Sequence, residues 1–208
     1  MDGLLIDSEP YWRKAHVRVL ARHGFTITEG DVHKMAGVNT AELVSHWQRL
    51  FNWDKTVNEQ IADEITSDVS RQIKETGTAL PGVYDLLCEL ESLSIPLAVA
   101  SSSPMDLVKT ALKKLNIFDT FTIIHSGVLE KHNKPFPDVY LATAKQLGVA
   151  PRDCLVLEDS SGGVQAAKAA DMKCVAVPEV PYDKNKFAIA DLIVDSLEKV
   201  TFEQLRSL

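Results

Sequence analysis

The hydrophobic and polar positions fall into two textures along the chain. From about residue 80 onward, short apolar runs alternate with amphipathic stretches. That alternation predicts a helix over 83–93 opened by Pro81-Gly82, then a strand over 96–101. A helix over 105–115 follows, with Pro104 at its favoured first turn, then a strand over 122–125. Pro137-Asp138 opens a helix that runs to Leu147 and is ended by Gly148. A strand over 154–159, a small-residue helix over 163–170 and strands over 174–177 and 192–194 complete the series. Alternating strands and helices predict a parallel sheet covered by helices on both faces, and near-continuous apolar strands fit that burial. Residues 10–79 differ: they predict helices over 11–23, 40–51 and 58–75, stopped by Gly24 at the first and Gly77 at the last. The expected organisation is an α/β core made of 1–9 and 80–208, with 10–79 as a helical insert.

Composition narrows the function classes. With 208 residues, 45% apolar and 25% charged, the chain has an ordinary globular composition and can bury a sizeable core. A net charge of −7 with no extended basic patch argues against nucleic acid and anionic membrane surfaces as partners. An anionic ligand would have to be held by a local device: a lysine, backbone N–H groups or a metal ion. Cys88, Cys154 and Cys174 each sit in an apolar run and fit neither a zinc site nor a disulfide framework. They read as small buried hydrophobes in a reducing, cytosolic setting. No run reaches the ~18 apolar residues of a spanning helix, and the N-terminus has no signal-peptide pattern.

Ligands of parallel α/β sheets bind at the carboxyl ends of the strands. Ser101-Ser102-Ser103 follows one expected strand, and Glu158-Asp159 ends another. Lys134, in Lys-Pro-Phe-Pro-Asp, lies between them, and Asp2-Gly3 lies at the start. Paired acids supply hard oxygen ligands for Mg²⁺. Hydroxyl and N–H groups at a helix start can hold a phosphate, and a lysine can neutralise a phosphoryl oxygen. Each feature alone has a plainer use: Ser101 as a helix cap, Lys134 as a solvated surface residue, Glu158-Asp159 as a capping pair. Their order and placement together point to phosphoryl transfer.

In that order the chain resembles the haloacid dehalogenase superfamily over essentially its whole length. Asp2-Gly3 matches the tail of the family's first motif, Phe-Asp-x-Asp-Gly; Ser101 matches the second, Lys134 the third and Glu158-Asp159 the fourth. The run Asp2-Gly-Leu-Leu-Ile-Asp-Ser-Glu-Pro10 is similar to the branch that holds β-phosphoglucomutase and the 2-deoxyglucose-6-phosphate and hexitol phosphatases. The resemblance implies a Rossmann-like parallel-sheet core whose helical cap closes over the site. It implies a nucleophilic aspartate two residues before Asp2, with Asp2 as general acid and base. It implies Mg²⁺ held by Asp2, Asp159 and Glu158, and phosphoryl oxygens held by Ser101, Ser102 and Lys134. The nucleophile falls immediately before Met1, so we expect a shortened start that omits an upstream aspartate and its strand; the alternative is a genuinely short, non-catalytic phosphate-binding protein.

Gly37-Val38-Asn39-Thr40 resembles the family's substrate-selecting loop, which makes Asn39 and Thr40 candidate substrate contacts; a plain helix N-terminus is the other use of that stretch. Trp12 and Thr40 stand where mutases of this branch carry a histidine and an arginine, so the expected activity is hydrolysis of a hexose or hexitol phosphate rather than its isomerisation. Trp47 and Trp53 read as cap core, with sugar stacking as the alternative, and His125 and His132 as loop or surface residues. A cytoplasmic monomer acting on a small phosphorylated sugar completes the expectation.

Overall fold

The computed structural model describes residues 1–35 and 38–208, which divide into two compact units. One is Ser8–Gly77; the other joins Met1–Asp7 to Thr78–Leu208.

The first unit is helical: α1 (Glu9–Arg22), α2 (Glu29–His33), α3 (Thr40–Phe51) and α4 (Asn58–Thr76). The inward stripe of α4 is Ile61, Ile65, Val69 and Ile73, one residue per turn. Both α1 and α3 pack on α4, α1 burying Ala15, Val19 and Leu20 and α3 burying Leu43, Val44 and Trp47. Trp47 is core, and Trp53 stacks with Phe25 and Phe51 at the end of the bundle. Asp68 ties α4 to α1, accepting from Arg18 at 2.6 Å and from Arg71 at 2.6 Å. Helix α2 was not expected, being too short for a periodic signal; its cause is local, a capping box between Thr28 and Asp31.

One core residue of this unit gives it a pH dependence. His16 is 1% exposed, its Nδ1 has no hydrogen-bond partner, and burial lowers its pKa from 6.5 to about 4. The folded unit therefore keeps a neutral imidazole where the unfolded chain takes up a proton. Stability should fall by about 1–3 kcal/mol as pH drops from 6.5 towards 4. A His16→Leu variant should lose that slope and be more stable at pH 5, which urea titrations at pH 5 and 7.5 would read. Equal slopes in the two proteins would refute the assignment.

The second unit is α/β. After α5 (Val83–Ser92) come β1 (Ala98–Ser101), α6 (Met105–Lys114), β2 (Ile123–Ser126), α7 (Asp138–Leu147), β3 (Leu155–Glu158), α8 (Ser161–Ala169), β4 (Lys173–Ala176), β5 (Leu192–Ile193) and α9 (Phe202–Ser207). All strand pairs are parallel. Gly148 closes α7 at φ 72°, a left-handed turn that suits glycine. Gly82 opens α5 at φ 83°, and a Cβ there would run into the Glu198 backbone. Helix α9 lies beyond the last expected element; its capping box, Thr201 with Gln204, is again the local cause. Cys174 is buried and Cys154 half-buried, but Cys88 is exposed, contrary to expectation. It sits on the outer side of α5, whose inward stripe is Val83, Leu86, Leu87 and Leu90.

The strands form two ladders rather than one: β1 pairs with β2, and β3-β4-β5 make the other. A cavity of about 440 Å³ is lined by β1 from Ala98 to Ala100 and by β3 from Leu155 to Glu158. Helices α5, α7 and α9 contribute further apolar side chains, and Met1 lines the same cavity. No helix among the described residues is long and apolar enough to cross a membrane.

Candidate active site

The carboxyl ends of β1 and β3 carry the chemistry. β1 ends at Ser101, which is 3% exposed. Its Oγ accepts the Ser103 N–H at 3.1 Å, which leaves the Ser101 hydroxyl hydrogen to donate elsewhere. The Ser103 hydroxyl donates to Asp2 Oδ2 at 2.7 Å, and the Ser103 carbonyl accepts from the Ser126 hydroxyl at 2.7 Å. The first acidic residue of the chain is thus joined to the ends of β1 and β2. Ser102 is half-buried beside them.

β3 ends at Glu158, the hub of a second network. Glu158 Oε1 takes the Lys134 ammonium in an ion pair and the Tyr140 hydroxyl at 2.6 Å. Glu158 Oε2 accepts from the Ser160 N–H at 3.1 Å and the Ser160 hydroxyl at 3.0 Å. Lys134 also donates to the Ala100 carbonyl at 3.4 Å and lies 4.8 Å from the centre of the Tyr140 ring. The lysine therefore bridges the ends of β1 and β3. Burial alone would raise the Glu158 carboxyl; the Lys134 ammonium and the hydrogen bonds from Lys134 and Tyr140 hold it low. Burial, then the Glu158 charge, pushes the Tyr140 phenol well up, so it stays a neutral donor.

Asp159 is in the opposite position. Burial and the adjacent Glu158 charge push its pKa up to about 8. Its carboxylate packs against the backbone of Gly3, where φ is +63° and a Cβ would overlap it. Asp2, Gly3 and Asp159 are thereby brought together, while Glu158 turns to Lys134. Gly163 performs the same service on the other side: a Cβ there would overlap the Glu158 carboxylate.

Asn39 and Thr40 belong to the helical unit. Asn39 caps α3, accepting the Glu42 N–H at 3.0 Å, and Thr40 is the first helical residue. Gly37 lies outside the described residues. His132 is exposed and paired with Asp138 at 3.1 Å. His125 is not a loop or surface residue: it is 7% exposed on β2, with Nε2 2.7 Å from Glu130 and Nδ1 2.9 Å from the Gln146 amide. Since Gln146 Nε2 can only donate, His125 Nδ1 accepts and Nε2 carries the hydrogen shared with Glu130.

Tyr140, Ser160 and Ser103 were not singled out from the sequence. Tyr140 had a signal: it lies on the inward face of α7 with Val139, Thr143 and Ala144, and a buried phenol needs a partner. Ser160 precedes the helix start that its hydroxyl caps, donated to by Gly163 N at 3.0 Å. Ser103 closes the serine run after β1 and precedes Pro104, but nothing in that run directs its hydroxyl to Asp2.

A parallel α/β unit with a lysine bridging two strand ends, a serine hydroxyl on one and two acids on the other has donors suited to an oxyanion. The model of the haloacid dehalogenase-like hydrolase family matches residues 1–177, and the chain belongs to that family. It is 32% identical over 208 residues to hexitol phosphatase B of Escherichia coli (strain K12), covering 99% of this chain and 93% of that protein. It is 32% identical to a probable pseudouridine-5'-phosphatase of Drosophila melanogaster over 98% of this chain and 90% of that one. Among solved structures, β-phosphoglucomutase from Clostridium difficile matches with a TM-score of 0.86 at 27% identity, over 99% of this chain and 92% of that one. These place the chain on the β-phosphoglucomutase and hexitol phosphatase-like branch.

Proposed function

We propose that the protein hydrolyses a hexose or hexitol phosphate through an aspartyl-phosphate, with Mg²⁺ as cofactor. The observation that carries this is the convergence of Asp2, Ser101, Lys134 and Asp159 at the ends of β1 and β3. The names of its relatives, a hexitol phosphatase and other phosphatases of small phosphorylated molecules, support the substrate class. Trp12 and Thr40, in place of a histidine and an arginine, favour hydrolysis over sugar isomerisation.

In this reading an aspartate directly before Met1 attacks phosphorus. A strand carrying it would fit the apolar cavity bordered by β1 and β3. As the new phosphorus–oxygen bond forms and the sugar–oxygen bond to phosphorus breaks, Asp2 gives its proton to the leaving oxygen. Asp2 then takes a proton from water as that water attacks phosphorus, which releases phosphate and frees the nucleophile. Ser101 donates its hydroxyl hydrogen to a phosphoryl oxygen, and Lys134 offsets the anionic charge. Asn39 and Thr40 are the proposed sugar contacts.

The donors fit Mg²⁺ in chemistry. Asp159 and the Asp2 carbonyl are hard oxygen ligands, and a cation would favour the ionised form of Asp159, which burial and Glu158 otherwise disfavour. No grouping of three or more acidic, histidine or cysteine side chains arranged for a metal occurs among the described residues, so a carbonyl, phosphate and water oxygens would complete the shell. When bound, the ion would neutralise charge that develops on the phosphoryl oxygens.

The test is to extend the chain before Met1 by an apolar strand ending in aspartate and to assay a panel of hexose and hexitol phosphates. Phosphate release with Mg²⁺ is expected from the extended protein, and none once the added aspartate is changed to asparagine. A folded, extended protein that releases no phosphate from any of them would refute the reading.

A further inference from the structure

A lysine carries a point charge on a flexible four-carbon stem, so its own shape does not decide where that charge sits. At Lys134 the surroundings decide it. The side chain is largely buried, and its ammonium meets three groups: Glu158 Oε1, the Ala100 carbonyl at 3.4 Å and the face of the Tyr140 ring, whose centre is 4.8 Å away. Two of its three N–H groups have protein acceptors, which leaves one for a ligand oxygen. Tyr140 touches this arrangement twice. Its ring lies against the ammonium, an attraction that strengthens where water is excluded. Its hydroxyl donates at 2.6 Å to Glu158 Oε1, the same oxygen that takes Lys134. The ammonium therefore does not have that oxygen to itself. Tyr140 is fixed in turn: it is buried on α7, which packs against β1 and β2.

We infer that Tyr140 is a positioning residue whose ring and hydroxyl together hold the Lys134 ammonium at the ends of β1 and β3 and so set how tightly the site takes an oxyanion. This deepens the proposed function and rests on that reading only in taking the oxyanion to be a phosphoryl group. The ring acts by direct contact and the hydroxyl through Glu158. Without the hydroxyl, Glu158 Oε1 is left to Lys134 alone and draws the ammonium into the ion pair, away from a ligand. Without the ring as well, the lysine stem loses the surface it rests on.

Two measurements on the 208-residue chain decide it. The first is the NMR spectrum of the Lys134 ε-methylene group. A group held over a ring face resonates upfield of solvated lysines. That shift is expected in the parent and in Tyr140→Phe, and should vanish in Tyr140→Leu. An unshifted Lys134 signal in the parent overturns the inference. The second is the affinity for inorganic phosphate by isothermal titration, with MgCl₂ present throughout. Tyr140→Phe should weaken it about threefold and Tyr140→Leu about tenfold. Val139→Ala, which removes packing from the same buried face of α7 but no polar contact, should leave it within about twofold. An equal loss in Val139→Ala and Tyr140→Phe would make Tyr140 a packing residue and sink the inference. So would a parent chain that takes up no phosphate at millimolar concentrations. Tyr140→Phe, the milder change, carries the test by itself if Tyr140→Leu does not fold. Neither measurement uses turnover, so an extended protein that hydrolyses no sugar phosphate would refute the proposed reaction and leave this result standing.

Discussion

Lys134→Met is expected to destabilise the protein by about 3–5 kcal/mol, because it strands a buried carboxylate. The Lys134 side chain is 12% exposed and that of Glu158 6%, and methionine keeps most of the lysine stem while removing its charge. Glu158 would retain only the neutral donors Tyr140 and Ser160. The sign of the pH dependence follows from the depressed Glu158 pKa. Stability from this pair is fully present above the ordinary carboxylate range of ~4.3 and is lost as pH falls through the lower folded value. The gap between parent and variant in urea titrations should therefore be widest near pH 7 and should narrow below pH 4. Adding Glu158→Gln to Lys134→Met should recover much of the loss, since no buried charge is then left unpaired. A variant with the parent's urea midpoint at pH 7 would mean that solvent, not Lys134, stabilises Glu158.

That ion pair marks the limit of what the residues disclosed in order. Periodicity placed the helices of both units because each buries a stripe of its own residues, as Ile61, Ile65, Val69 and Ile73 do in α4. The apolar runs gave the strands, although β1 and β3 proved shorter than the runs that contain them. The short helices α2 and α9 come from capping boxes, a local cause that hydrophobic spacing does not report. Long-range pairing is a different matter. Lys134 and Glu158 were both candidates, but nothing in a linear chain says that the lysine turns to Glu158 and leaves Asp159 facing Gly3. Tyr140 and Ser103 act through partners 18 and 101 residues away. His125 carries no apolar mark, yet β2 takes it inward, where Gln146 and Glu130 satisfy both ring nitrogens. The split into two ladders was not expected, since the alternation of strands and helices predicted a single parallel sheet. Its physical form is an apolar cavity bordered by two strands, each paired on one edge.

Asp159→Asn should move stability and activity in opposite directions. In the folded chain the Asp159 carboxyl is pushed up to about 8, while in the unfolded chain it titrates near ~3.9. The folded state therefore holds the extra proton between those values, and stability falls as pH rises through that window. By pH 8 the loss should be of order 1–3 kcal/mol, allowing for relaxation around a buried acid. Asparagine cannot ionise, so the variant should lose this slope and be the more stable protein at pH 8 in the absence of metal. Activity should go the other way. In the proposed reaction of the extended protein, a change that removes Asp159 as the proposed Mg²⁺ ligand should lower kcat by about a thousandfold or more, on the scale of losing a main electrostatic stabiliser of the transition state. Added MgCl₂ provides an independent readout through ligand-linked stabilisation. It should raise the melting temperature of the protein with Asp159 and leave that of Asp159→Asn unchanged. Full activity in the asparagine variant, or equal Mg²⁺ stabilisation of both proteins, would remove Asp159 from the metal site. A variant less stable than its parent at pH 8 without metal would show that the buried Asp159 charge is already compensated within the fold.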